Sequence, residues 1–135
     1  MLVGIKDEFV KALATTSEIK AQEAQPICLL IGSLHITSLL EPNTIKLIIE
    51  NFIPSIDHLS IESVAKLYLA ISRVYNDDCF QQYEQMKSDV FEKLESSEIS
   101  IDLVLTLSMP LSMDGLGSES PIWQKFKNCV IDNQN

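Results

Sequence analysis

The side chains of this sequence that could do chemistry are few: two histidines, three cysteines and nineteen carboxylates. His58 follows Asp57, a neighbour able to orient an imidazole as a general base, and Cys79 would be the nucleophile if that base reached it. No further residue identifies itself as the group that would orient such a pair, and IDHLS reads as a polar turn. His35 lies in an apolar stretch and reads as a helix-end or partly buried histidine. Neither CxxC nor HExxH occurs, so no zinc site is expected, and Cys28 and Cys129 occupy apolar segments as packing residues. Asp77, Asp78 and the run from Asp114 to Gly117 lack the alternating spacing and closing glutamate of a calcium loop. GLGS at 115–118 lacks the lysine and preceding strand of a phosphate-binding loop. These residues predict no catalytic, metal or cofactor site, and hence a protein that is not an enzyme. An odd set of widely spaced cysteines reads as reduced thiols in an intracellular protein rather than a disulfide framework.

Charge restricts the partners. The 135 residues carry 19 acidic and 10 basic side chains, a net charge of −9, and Arg73 is the only arginine. Nucleic-acid binders neutralise phosphates with clustered Lys and Arg. Between positions 77 and 102 stand Asp77, Asp78, Glu84, Asp89, Glu92, Glu95, Glu98 and Asp102 against only Lys87 and Lys93. Direct RNA or DNA binding is therefore disfavoured. The longest apolar run, ICLLIGSLHITSLL at 27–40, falls short of the ~20 residues of a membrane span and is expected as a buried helix. The start, MLVGIKDEFVKA, puts Asp7 and Glu8 where a targeting peptide would be basic, which leaves a processed organellar form open.

What would position these side chains is a repeated helical pattern. Ile19, Leu59 and Ile99 stand forty residues apart, and the same register aligns Ala24, Val64 and Val104; Ile27, Leu67 and Leu107; Leu29, Leu69 and Met109; and Ile31, Ile71 and Leu111. Apolar members three and four apart specify a helix in each copy, here termed helix A. A second helix, B, follows: Tyr83, Met86, Val90 and Phe91 align with Trp123, Phe126, Val130 and Ile131, and NTIKLIIENFI at 43–53 is an earlier copy. Ile5, Phe9 and Leu13 repeat the B spacing at the N-terminus. The pattern predicts an all-α fold in one domain, a short right-handed solenoid of antiparallel hairpins with a period near 40 residues. A lone helix is expected at about 4–14, and hairpins at about 18–54, 59–95 and 99–131.

Local chemistry sets the expected boundaries. Thr15 with Glu18 reads as a capping box, Asp78 with Gln81 as a cap, and Ser60, Ser100 and Ser120 as N-caps. Pro42 and Pro121 suit the first helical position. Pro54 ends the first B helix, Pro110 should kink or stop the last A helix, and Pro26 breaks the first A helix or delays its start. SMDGLGSES at 112–120 reads as the longest loop. Tyr68, Tyr75 and Tyr83 flank the middle turn, and two of the three are expected in the core.

The middle copy, LSIESVAKLYLAISRVYNDD followed by CFQQYEQMKSDVFEKL, resembles helical-repeat proteins of organellar RNA biology: the octotricopeptide and heptatricopeptide families and the repeat region of FAST-kinase-like proteins. The resemblance rests on the Leu59–Ser60 start, on Val64, Leu67, the small Ala70 and Val74, on the polar turn from Tyr75 to Asp78, and on Phe80, Tyr83, Met86, Val90 and Leu94. It covers about 80 residues. It implies a mitochondrial or plastid protein acting on transcripts or ribosomes, often with a RAP domain for which this chain has no room. Against the charge, the resemblance favours an accessory subunit packed on other protein subunits; an organellar RNA-binding or RNA-processing factor is the alternative. The expected interface is Ile5 and Phe9 at one end and Trp123, Phe126, Val130 and Ile131 at the other, with Glu84, Glu92 and Glu95 turned to a basic partner.

Overall fold

In the computed structural model the apolar spacing is realised as helix throughout, and the structure describes residues 2–15, 18–74 and 80–132. Seven α-helices lie among them: α1 (Leu2–Thr15), α2 (Ala24–Ile36), α3 (Pro42–Phe52), α4 (Ile61–Val74), α5 (Phe80–Ser96), α6 (Ile101–Met113) and α7 (Pro121–Asp132). Short 3-10 turns occupy Ala21–Glu23 and Ile53–Ser55, and no strand occurs among the described residues. The helices form two rows. α1, α3, α5 and α7 pack in succession in one, and α2, α4 and α6 in the other. α4 also packs on α3 and α5, and α6 on α7.

One core runs between the rows. Each helix of the α2–α4–α6 row gives one stripe to it: Ala24, Ile27, Ile31 and Leu34 on α2, Val64, Leu67, Tyr68 and Ile71 on α4, and Leu103, Val104, Leu107 and Leu111 on α6. Opposite stand Ile45, Ile48, Ile49 and Phe52 of α3, Tyr83, Met86, Val90 and Leu94 of α5, and Ile122 and Phe126 of α7. These steps of three and four bring one helical face to the core.

The ends of the helices show which boundary expectations hold. Ser60 Oγ accepts from the Ser63 N–H at 3.2 Å, Ser100 Oγ from Leu103 at 3.3 Å and Ser120 Oγ from Ile122 at 3.3 Å. Pro42 and Pro121 each open a helix. Thr15 does not begin a helix; it ends α1, and its hydroxyl donates to the Ala12 and Lys11 carbonyls at 3.0 and 3.3 Å. The cap expected from Thr15 and Glu18 is supplied instead by Glu23, whose Oε1 accepts from the Lys20 N–H at 2.8 Å. Pro26 lies in the first turn of α2, which begins three residues later in the repeat register than α4 and α6. Pro110 does not stop α6, which continues to Met113. The Asp78–Gln81 cap and Tyr75 involve positions outside the described residues.

Buried polar groups fasten the rows. Asn51 Nδ2 donates to the Leu13 carbonyl at 3.1 Å and the Leu47 carbonyl at 2.8 Å, so α3 satisfies an end carbonyl of α1. Ser55 Oγ accepts from the Ile19 N–H at 2.6 Å and donates to the Asn51 carbonyl at 2.7 Å. Lys125 of α7 reaches the open end of α5, where its ammonium donates to the carbonyls of Leu94, Glu95 and Ser97.

α2 and α6 end alike. The Leu39 N–H bonds the Leu34 carbonyl and Ser38 the His35 carbonyl; Leu116 bonds Leu111 and Gly115 bonds Ser112. This is the paired bonding of a Schellman end, which needs a left-handed residue. Gly115 supplies it with φ 81° and Ser38 with φ 61°. A side chain in that region costs about 1–2 kcal/mol, offset in part by the extra freedom of unfolded glycine. Ser38→Gly is therefore expected to stabilise the chain by about 0.5–1 kcal/mol, read as a higher urea midpoint at unchanged slope. A lower midpoint would show that the serine side chain contributes more than its backbone strain costs.

Candidate functional surface

The core stripes account for only part of the apolar surface of the α2–α4–α6 row. α2 and α6 carry apolar residues around most of their circumference, and those beyond the core stripe face solvent. Leu105, Met109 and Met113 are 76%, 72% and 80% exposed, and they lie in line along α6. Leu29 and Ile36 on α2 are 63% and 83% exposed. Leu69, half-buried on α4, lines with Leu105, Met109, Pro110 and Met113 a groove of about 690 Å³ between α4 and α6. Arg73 and Ser72 form its α4 side, with Thr106 and Asp114 on the other. The exposed Arg73 makes no ion pair with any described residue. Further along, Glu62, Ala65 and Lys66 share a cleft of about 370 Å³ with Ser100, Asp102, Leu103 and Thr106.

A polar cluster fixes one end of this groove. The Tyr68 and Tyr83 hydroxyls both donate to Asp114 Oδ2, the latter at 2.7 Å. Asp114 thereby ties α4 and α5 to the turn after α6, whose carbonyl also accepts from Lys87 Nζ at 3.5 Å. Tyr68 is fully buried and packs edge-on against Phe91, ring centroids 6.5 Å apart. Burial first, and the Asp114 carboxylate second, push the Tyr68 hydroxyl far above its ordinary pKa. Two of the three tyrosines flanking the middle turn are thus core residues, and both are hydrogen-bonded.

The described histidines and cysteines lie apart from this groove. His58 is exposed, its Nε2 3.9 Å from Glu18 Oε2, and Cys79 lies outside the described residues. His35 is exposed in the last turn of α2. Burial pushes the half-buried Cys28 thiol up, away from the reactive thiolate form. Cys129 packs against the core. Among the described residues no three His, Cys, Asp or Glu side chains are placed to share a metal ion.

The expected end interface divides. Ile5, Val130 and Ile131 are exposed, while Phe9 and Trp123 are partly buried against the core. Phe126 is buried: it faces inward from α7 and meets Trp123 edge-on, ring centroids 5.5 Å apart. Trp123 Nε1 is likewise turned inward, donating to the Leu116 carbonyl at 3.1 Å. Glu84 is held by Lys87 at 3.0 Å, whereas Glu92 and Glu95 are exposed. The row along α6 was not read as surface in the sequence. Its signal was there: α6 has more apolar positions than one core stripe can bury.

No family model matches this sequence, and comparison with curated proteins and with solved structures finds no match. No helix among the described residues is long and apolar enough to cross a membrane.

Proposed function

We propose that this chain is a non-catalytic adaptor or structural subunit of a larger intracellular assembly, with the mitochondrion as its expected compartment. Another protein docks on the outer face of α2, α4 and α6. The observation that carries this reading is the line of Leu105, Met109 and Met113 beside Leu69, apolar side chains left in water where the core has no use for them. Methionines suit such a surface because their flexible thioethers adapt to a partner's shape. The exposed Glu92 and Glu95 of α5 offer a second contact to a partner with a basic surface.

The two rows of helices are read as a short right-handed solenoid of hairpins with a period near forty residues. Supporting this, Ala24, Val64 and Val104 are all buried, as are Ile27, Leu67 and Leu107 and also Ile31, Ile71 and Leu111. Stacked hairpins of that kind bury one face and present another as an extended binding surface. The likeness of the middle copy to organellar helical-repeat proteins agrees with such a role, and the net charge of −9 favours a protein rather than a nucleic-acid partner.

The test is affinity purification of the whole chain with quantitative mass spectrometry, comparing wild type with Met109→Glu, each with and without RNase. Met109 is exposed, so the substitution is expected to leave folding within about 0.5 kcal/mol. Expected are stoichiometric protein partners that persist through RNase and fall about tenfold or more with Met109→Glu. Partners indifferent to the substitution would contradict the surface, and partners released by RNase would replace the reading with an RNA-tethered role.

A further inference from the structure

The described methionines divide by place. Met86 is fully buried on α5, whereas Met109 and Met113 stand one turn apart on α6 and are 72% and 80% exposed. Exposure governs how readily a thioether meets an oxidant, so a peroxide dose that reaches the α6 pair spares the core. The same pair supplies, with Leu105, the apolar line of α6 that borders the groove against α4. Polar neighbours are close, since Ser72, Arg73 and Thr106 line that groove too. In the free chain an oxygen added to either sulfur is therefore met by hydrogen-bond donors and water, with no core contact disturbed.

We infer that Met109 and Met113 form a reversible oxidation site at which hydroperoxides close the α6 face to its protein partner; this rests on the docking reading above and adds its regulation. The sulfur lone pair attacks one peroxide oxygen, the O–O bond breaks and an S–O bond forms. Sulfur loses two electrons and the peroxide gains them. With hydrogen peroxide, the proton of the attacked oxygen passes to the departing hydroxide, which leaves as water. A methionine sulfoxide reductase reverses the step, two thiols becoming a disulfide as the oxygen leaves as water. The sulfoxide is polar and accepts hydrogen bonds where the thioether was apolar. Docking an apolar partner on it strips water from the new oxygen without replacing the hydrogen bond, which opposes association. The assembled chain has both sulfurs covered, so the oxidant acts on the free chain and blocks its entry into the assembly.

The experiment treats the full chain with hydrogen peroxide, maps its sulfoxides by mass spectrometry, and measures capture of the proteins that Met109→Glu releases. A double variant, Met109→Leu with Met113→Leu, keeps the volume and apolarity of the face and lacks the sulfur. Expected for the wild type oxidised at both positions is a fall in capture of about tenfold or more, at an unchanged urea midpoint. Methionine sulfoxide reductases should restore capture, and the leucine variant should lose less than about twofold at the same dose. A wild type that carries both sulfoxides and keeps its partners would overturn the inference and leave the docking surface in place. A leucine variant equally sensitive to peroxide would overturn it by assigning the effect to other side chains, and a lowered urea midpoint by assigning it to the fold. Partners indifferent to Met109→Glu would remove the docking reading and this inference with it.

Discussion

Leu67→Ala is expected to lower the unfolding free energy by about 3–5 kcal/mol, the upper part of the range for emptying a close-packed core site. Leu67 is fully buried on α4, and α4 is the helix that packs against both its row neighbours, α2 and α6, as well as α3 and α5 of the other row. A cavity there has helices on every side that are held by their own contacts, so little collapse can relieve it. Because one core joins all the described helices, damage at its centre is felt by both halves, and the loss should appear in one cooperative transition. Urea denaturation followed by circular dichroism checks this. A loss below about 1 kcal/mol, or two separate transitions, would show that the halves fold independently.

Asp114→Ala is expected to cost about 2–4 kcal/mol, although Asp114 is not itself a core residue. Its carboxylate accepts from two buried tyrosine hydroxyls on different helices, and alanine takes the charged acceptor from both. Asp114→Asn keeps an oxygen in place without the charge and should cost about half as much. The same cluster sets a pH dependence. Because the Tyr68 pKa is raised on folding, the unfolded chain loses that proton first as pH climbs past about 10. The native state then binds more protons than the unfolded state, so stability is full below pH ~10 and falls above it by about 1.4 kcal/mol per pH unit. Tyr68→Phe should remove that contribution while leaving other alkaline titrations in place. Equal alkaline slopes for wild type and Tyr68→Phe would show that the hydroxyl ionises as readily in the folded protein as outside it.

The all-helical architecture was legible because the core needs little more than apolar residues three and four apart, and those stand plainly in segments such as Val64, Leu67 and Ile71. N-caps at Ser60, Ser100 and Ser120 were legible for the same reason: they act within one turn of their own position. Interactions that join distant segments were not. Nothing near Asn51 or Asp114 in the chain announces the Leu13 carbonyl or the tyrosines they bond, which lie 38, 46 and 31 residues away. Thr15 illustrates a third limit, since a hydroxyl that fits a helix start fits the preceding helix's end equally well. The outer face was hidden by reading the sequence at a forty-residue period. Leu29 and Met109 align with the half-buried Leu69, and alignment by period cannot tell a residue that two neighbours cover from one at the edge of the row.

The most direct measurement of the central claim, that the outer face of α6 is a protein-docking surface, is methionine oxidation mapped by mass spectrometry. Dilute isolated chain and the chain within its native assembly would be treated with the same peroxide dose. Met109 and Met113 are exposed and Met86 is fully buried on α5, so the protein carries its own control. Met109 and Met113 are expected to oxidise fast in the isolated chain and to fall toward the slow rate of Met86 in the assembly. Undiminished oxidation of Met109 and Met113 in the assembly would contradict it.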